Sequence, residues 1–212
     1  MTRFLVVLDV DSTLIEQEAI ELLADEAGSG PAVAAITDRA MAGELDFAAS
    51  LAERVATLAG LDDGCCARVG ARITLTAGAR ELVEAVHAAG GAVGVVSGGF
   101  HELLDPIAAE LGLDLHRANR LEVVEGRFTG RTLGPVIDAE AKAVALREWA
   151  AERGVPLART VAIGDGANDL RMLDVAGLGV AFAAKPIVRE RADVSIARRD
   201  LRDVLPLLGL RG

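Results

Sequence analysis

Five short runs, apolar and rich in β-branched residues, recur along this chain: FLVVLD at 4–9, AVGVV at 92–96, TVAIG at 160–164, LGVAF at 178–182 and DVSIA at 193–197. Amphipathic segments of helical period separate most of them, at 78–89, 100–111 and 139–153. Strands that alternate with helices of this length form βαβ units, and so a parallel sheet covered on both faces. The pattern therefore predicts an α/β, doubly wound fold. Residues 16–73 break the rhythm. A helix is expected over Glu16–Ala27, with Ile20, Leu23 and Ala27 on one face, stopped by Gly28-Ser29-Gly30-Pro31. Two more follow near 32–42 and 46–59, and no strand is evident. This stretch reads as a helical-bundle cap inserted after the first strand, leaving 1–15 and 74–212 as the core. A hairpin is expected within 115–133, around Gly126 and Gly130, and a last helix over Leu201–Leu208.

Composition narrows the partners. The net charge is −10 over 212 residues, which argues against nucleic acid and anionic lipid, since both need clustered Lys and Arg. One locally positive pocket for a small phosphorylated molecule remains compatible with it. Cys65 and Cys66 are neighbours with no second pair to complete a zinc site, so reduced thiols and a cytoplasmic setting are expected. The apolar run 4–8 is too short for a signal peptide, and no stretch approaches the roughly 20 apolar residues that span a bilayer. His87, His101 and His116 show no pair at ligand spacing and read as structural or solvated. Trp149 reads as core. A monomer or a homodimer is expected.

The chemistry gathers at strand ends. The first strand delivers Asp9 and Asp11, the second Ser97, Gly98 and Gly99, and the TVAIG strand Asp165 followed by Asn168 and Asp169. Lys142, one of two lysines, opens the helix after residue 138. In an open parallel sheet these points meet at the carboxyl edge, where ligands bind. Several carboxylates at one place call for a hard cation, and oxygen ligands suit Mg²⁺. Ser97 and the amides at a helix start can hold phosphate oxygens, glycines allow close approach, and Lys142 adds charge where phosphoryl transfer needs it. Two acids two residues apart then divide the labour. One attacks phosphorus, and the other protonates the leaving oxygen and later takes a proton from water. Lys185, after another strand end, is a candidate for a supporting role.

DVDST, VVSGG, an isolated Lys and GDGAND, in this order, resemble the four signature motifs of the haloacid dehalogenase superfamily. DSTLIEQEAIELLA, AMAGELDFAASLAERVA, ANRLEVVEGRFTG and AIGDGANDLRMLDVAGLGVAFAAKP are similar to its phosphoserine-hydrolysing branch. The resemblance implies a Rossmann-like core of that superfamily, and Mg²⁺-dependent hydrolysis of O-phospho-L-serine through an aspartyl phosphate, the last step of serine biosynthesis. It implies Asp9 as nucleophile and Asp11 as general acid/base. It implies a metal held by Asp9, the Asp11 backbone carbonyl and Asp165, with Asp169 in support. Ser97, Gly98 and Lys142 would bind phosphate, with Gly99 supporting that turn and Asn168 lining the pocket. In the cap, Glu18 would read the substrate ammonium, Arg54 its carboxylate, and Met41 and Phe47 would close over it. Val10, the TAGA stretch at 76–79 and Ala143 depart from the usual pattern, at positions that bear on packing and turns. Some relatives carry an additional regulatory domain ahead of the catalytic part; none is seen here, so serine feedback through one is not expected. Two rivals stand beside this reading: transfer of the phosphoryl group to an alcohol such as homoserine, and a non-catalytic acidic phosphoacceptor domain.

Overall fold

The computed structural model describes residues 1–210. Its frame is one seven-stranded sheet in the order β4-β3-β2-β1-β5-β6-β7. The strands are β1 (Leu5–Leu8), β2 (Ala92–Phe100), β3 (Leu115–Val124), β4 (Arg127–Leu133), β5 (Thr160–Gly164), β6 (Leu178–Phe182) and β7 (Val194–Ile196). All pair in parallel except β4, which runs antiparallel to β3 in the expected hairpin. Every residue of β1 is buried, as a central strand covered on both faces must be.

Alternation along the strands sends side chains into two layers. Val6, Leu8, Val93 and Val95 pack with α5 (Ala79–Ala88), α6 (His101–Leu111) and the 3₁₀ segment Leu201–Leu208. Leu5, Val7, Val96 and Ala162 pack on the other face with α7 (Ala139–Glu152), α8 (Leu170–Val175) and α9 (Pro186–Arg191). Trp149 belongs to this second layer, as expected.

Between β1 and α5 lie four helices, α1 (Ala19–Ala27), α2 (Gly30–Met41), α3 (Phe47–Ala56) and the short α4 (Cys65–Gly70). Gly28, at φ 68°, ends α1 in the left-handed conformation that favours glycine, and Pro31 opens α2. Asp46 caps α3 by accepting from Ala49 N at 2.7 Å. Leu23, Val33, Leu51, Val55 and Leu58 bury each other and continue onto Phe100 at the end of β2, Leu103 of α6, and Leu121 and Phe128 of the hairpin. The helical layer therefore rests on one flank of the sheet's carboxyl edge.

Two expectations shift. Leu201–Leu208 is a 3₁₀ segment rather than an α-helix, with Pro206 inside it removing a donor. Ser97-Gly98-Gly99 does not turn into a helix: β2 runs extended through Phe100, which pairs with Asn119 after a register irregularity, and α6 begins at His101. No helix among the described residues is long and apolar enough to cross a membrane.

Candidate active site

Strand register brings the acids together. Leu8 lies opposite Val95 on one side and Ile163 on the other. One residue further along β1 and two further along β2 and β5 stand Asp9, Ser97 and Asp165, all at the same edge. Asp9 N donates to Ile163 O at 2.9 Å, which holds the strand end straight up to the carboxylate. After Asp9 the chain makes one wide turn over Val10–Leu14, closed by Ile15 N donating to Val10 O at 3.0 Å. Inside it Ser12 sits at φ 57°, a left-handed position that costs a non-glycine residue about 1 kcal/mol or more. Its neighbours hold it there: Ser12 N donates to Gln17 O at 3.2 Å, and its hydroxyl donates to Glu18 Oε1 at 2.8 Å.

A cavity of about 120 Å³ opens over this edge. Asp9, Asp11, Asp165, Asn168, Gly98 and Gly99 line its floor, and Glu18, Phe47 and Arg54 line the side given by the helical layer. Ile20, Leu51, Gly166 and Lys185 complete the wall. Lys185, exposed, was open to a supporting role from sequence; the structure puts it beside Asp165, whose carbonyl accepts its backbone N–H at 3.1 Å.

Three predicted residues stand behind the wall. Lys142 is 0% exposed, and its Nζ donates to Asp9 Oδ1 at 2.6 Å and Asp169 Oδ1 at 2.7 Å. Asp138 caps α7 by accepting from Ala141 N at 2.8 Å, so the first turn of that helix aims Lys142 inward. The other oxygen of Asp169 accepts from Asp165 N at 3.1 Å and Gly166 N at 3.0 Å. A Cβ on Gly164 would overlap the Asp169 carboxylate, so glycine lets the acid tuck beneath the turn. Ser97, also buried, donates to Asp11 Oδ2 at 2.7 Å, while Asp11 Oδ1 accepts from Ala19 N, the start of α1, at 2.6 Å. Met41 stands apart: it ends α2 at 75% exposure and does not line the cavity.

The charges do not balance. Burial and the nearby Asp169 carboxylate push the Asp9 carboxyl well above the ordinary range, against the pull of Lys142. Burial raises Asp165 to about 6, with Asp169 adding to it. For Lys142, burial disfavours the charged form, but Asp169 and Asp9 more than offset it and its pKa rises. Burial, with Asp11 nearby, lifts Glu18 to about 7. Burial lowers Arg54, which donates to Ser50 O at 3.3 Å and makes no ion pair among the described residues. Asp9, Asp165 and Asp169 offer oxygens within 4.8 Å of one another. With only Asp9 and Asp169 bonded to the Lys142 ammonium, this cluster of hard oxygen donors carries excess negative charge and fits Mg²⁺.

Two sets of side-chain contacts carry no motif in the sequence. Asn119, in the middle of β3, is buried and donates to Gly98 O near the end of β2. His101 and His116 do meet, with ring centroids 5.6 Å apart, on either side of Asp105 Oδ1 at 2.7 and 3.1 Å. His101 Nε2 accepts from Ala118 N at 3.1 Å, so its proton sits on Nδ1 facing Asp105. A ring nitrogen so protonated is no metal ligand, and the cluster is a hydrogen-bonded clasp between α6 and β3.

Known proteins resemble this chain over nearly its whole length. A phosphoserine phosphatase from Streptococcus thermophilus is 52% identical over 204 residues, 96% of this chain and 95% of that one. One from Streptomyces coelicolor is 55% identical over 206 residues, but the match spans 50% of that longer protein. A solved structure described as a phospho-aspartyl intermediate analogue of phosphoserine phosphatase superposes with a TM-score of 0.91 at 43% identity, covering 98% of this chain and 99% of that chain. Residues 6–174 match the haloacid dehalogenase-like hydrolases, and with the acids, the lysine and the sheet edge arranged as described, this chain belongs to that family.

Proposed function

We propose that this chain is a Mg²⁺-dependent phosphatase that hydrolyses O-phospho-L-serine to L-serine and phosphate through an aspartyl phosphate on Asp9. One observation carries the reading. Asp9 and Asp11 share the floor of a cavity whose opposite side presents a carboxylate, Glu18, and a guanidinium, Arg54, free of ion pairs among the described residues. A free amino acid carries one ammonium and one carboxylate, and that pair of side chains reads both.

The Asp9 carboxylate attacks phosphorus, forming an O–P bond as the bond to the serine oxygen breaks. Lys142, on Asp9 Oδ1, orients that carboxylate and leaves Oδ2 for the attack. Asp11 delivers a proton to the departing serine oxygen. It then takes a proton from the water that cleaves the aspartyl phosphate, so Asp9 and Asp11 return to their starting states. Mg²⁺, which Asp9, Asp165 and the Asp11 carbonyl would hold, supplies charge neutralisation between carboxylate and phosphate. Asp169 supports the site by pinning the Asp165–Gly166 turn and Lys142. Residues 16–73 serve as the cap, with Phe47 over Gly98: a Cβ there would come within 2.8 Å of the Phe47 ring. The ring excludes water from the phosphate.

Phosphate release measured over a panel of phosphorylated metabolites, with and without chelator, tests the reading. Phosphoserine is expected to lead, and chelator to stop it. Addition of homoserine is expected to leave free phosphate as the product; phosphohomoserine would make the protein a transferase instead.

A further inference from the structure

Asn119 is 2% exposed and both ends of its amide are used. Its Oδ1 accepts from Ile137 N at 2.9 Å, and its Nδ2 donates to Gly98 O at 2.8 Å. A main-chain donor on one side and a main-chain acceptor on the other settle which end is oxygen. Gly98 O belongs to the same peptide unit as the Gly99 N–H, and in a planar trans unit the two point in opposite directions. That N–H donates to Ser97 Oγ at 2.7 Å. With one lone pair of Ser97 so engaged, its own proton goes to Asp11 Oδ2 at 2.7 Å. Four hydrogen bonds thus run in one direction, from Ile137 through Asn119, the Gly98–Gly99 peptide and Ser97 to Asp11.

The peptide in the middle is the weak link. It joins two glycines, and such a unit rotates more freely than any other. A turnover of this unit would aim a carbonyl at Ser97 Oγ, and Ser97 would then donate to it rather than to Asp11. We propose that Asn119 is a positioning residue that holds the Gly98–Gly99 peptide and, through Ser97, sets the aim of Asp11 at the leaving oxygen. Asn119 touches no reacting atom; it acts on the acid from behind the Ser97–Gly99 stretch. The inference rests on the roles proposed above for Asp9 and Asp11.

The test is a comparison of leaving groups. Serine alkoxide leaves poorly without a proton, whereas p-nitrophenolate leaves unaided. Asn119→Asp keeps an acceptor for Ile137 N–H and sets an oxygen against Gly98 O. In kcat/KM, which spans binding through transfer to Asp9, phosphoserine is expected to fall about 100-fold, and p-nitrophenyl phosphate by less than about 5-fold. An equal fall on both substrates, or no fall, overturns the inference. Failure of the unmodified protein to turn over phosphoserine would instead strike the proposed function. If the buried carboxylate prevents folding, Asn119→Ser serves for the same comparison, with the same order expected. Ser97→Ala breaks the relay nearer its end, so Asn119→Asp added to it is expected to lower phosphoserine kcat/KM by less than about 3-fold further. A full additional 100-fold loss would show that Asn119 acts by another route. In the unmodified protein, ¹⁵N spectra are expected to show the Asn119 side-chain amide protected from exchange; fast exchange would refute the bond to Gly98.

Discussion

Replacing Lys142 by Met tests how the site balances its charge. The two side chains have similar length and volume, so packing changes little. What is lost is the ammonium bonded at 2.6 Å to Asp9 and 2.7 Å to Asp169, with all three side chains 5% exposed or less. Breaking a buried pair by removing one partner costs about 3–5 kcal/mol. The variant limits that cost by protonating Asp9, whose ordinary pKa is 3.8. Holding a proton there costs about 1.4 kcal/mol for each pH unit above that value, hence about 5 kcal/mol near pH 7.5 and about 2 kcal/mol near pH 5.5. The sign follows: the unfolded chain releases this proton near 3.8 and the folded variant retains it, so the deficit grows as pH rises. Urea unfolding followed by circular dichroism and by the fluorescence of the single Trp149, 4% exposed in the core, gives the two free energies. The melting temperature is expected to drop by roughly 10–20 °C at the higher pH. A loss under about 1 kcal/mol near pH 7.5, or one that grows as pH falls, would refute a buried lysine that neutralises Asp9.

Other outcomes follow from the same geometry. Asp9→Asn is expected to lower phosphate release by at least about 1,000-fold with an unchanged circular dichroism spectrum, and full activity in that variant would end the proposed mechanism. Arg54→Ala is expected to raise KM for phosphoserine at least about 10-fold while p-nitrophenyl phosphate changes little; equal effects would remove Arg54 from carboxylate recognition. Glu18 sits near pKa 7 against an ordinary 4.5, raised first by burial, so the folded state loses stability as pH climbs from 4.5 through 7. Glu18→Gln is therefore expected to be more stable than the parent at pH 8, by up to about 3 kcal/mol, and equal to it at pH 4. Lower stability at pH 8 would contradict that. Millimolar Mg²⁺ is expected to raise the melting temperature of the parent but not of Asp165→Asn, and an equal rise in both would place the cation elsewhere.

Much of the site was legible before any tertiary structure. Asp9, Asp11 and Asp165 follow short apolar runs, and in a parallel sheet such residues gather at one edge whatever the details of packing. The glycine turn, the capped helix that carries Lys142 and the helices of residues 16–73 are likewise set by local spacing and capping. Other features depended on partners far away in sequence. Ser97–Gly99 lie extended between two residues that β3 pairs, Val96 with Arg117 and Phe100 with Asn119, a constraint that comes from outside those three residues. Lys142 faces two carboxylates from behind the cavity wall, a placement its own helix does not specify.

What the sequence determined by itself was the order of strands and helices, and with it the edge at which the acids meet, since both follow from periodicity along the chain. Which oxygen meets which donor was decided by tertiary packing alone. Asn119 sits in the middle of a strand with no motif to mark it, and its role exists because β3 places its amide between Gly98 and Ile137. His101 and His116, 15 positions apart, share Asp105 for the same reason. Hydrogen bonds demand partners within about 3 Å, and distances that short across a sheet are fixed by the register and packing of the whole fold.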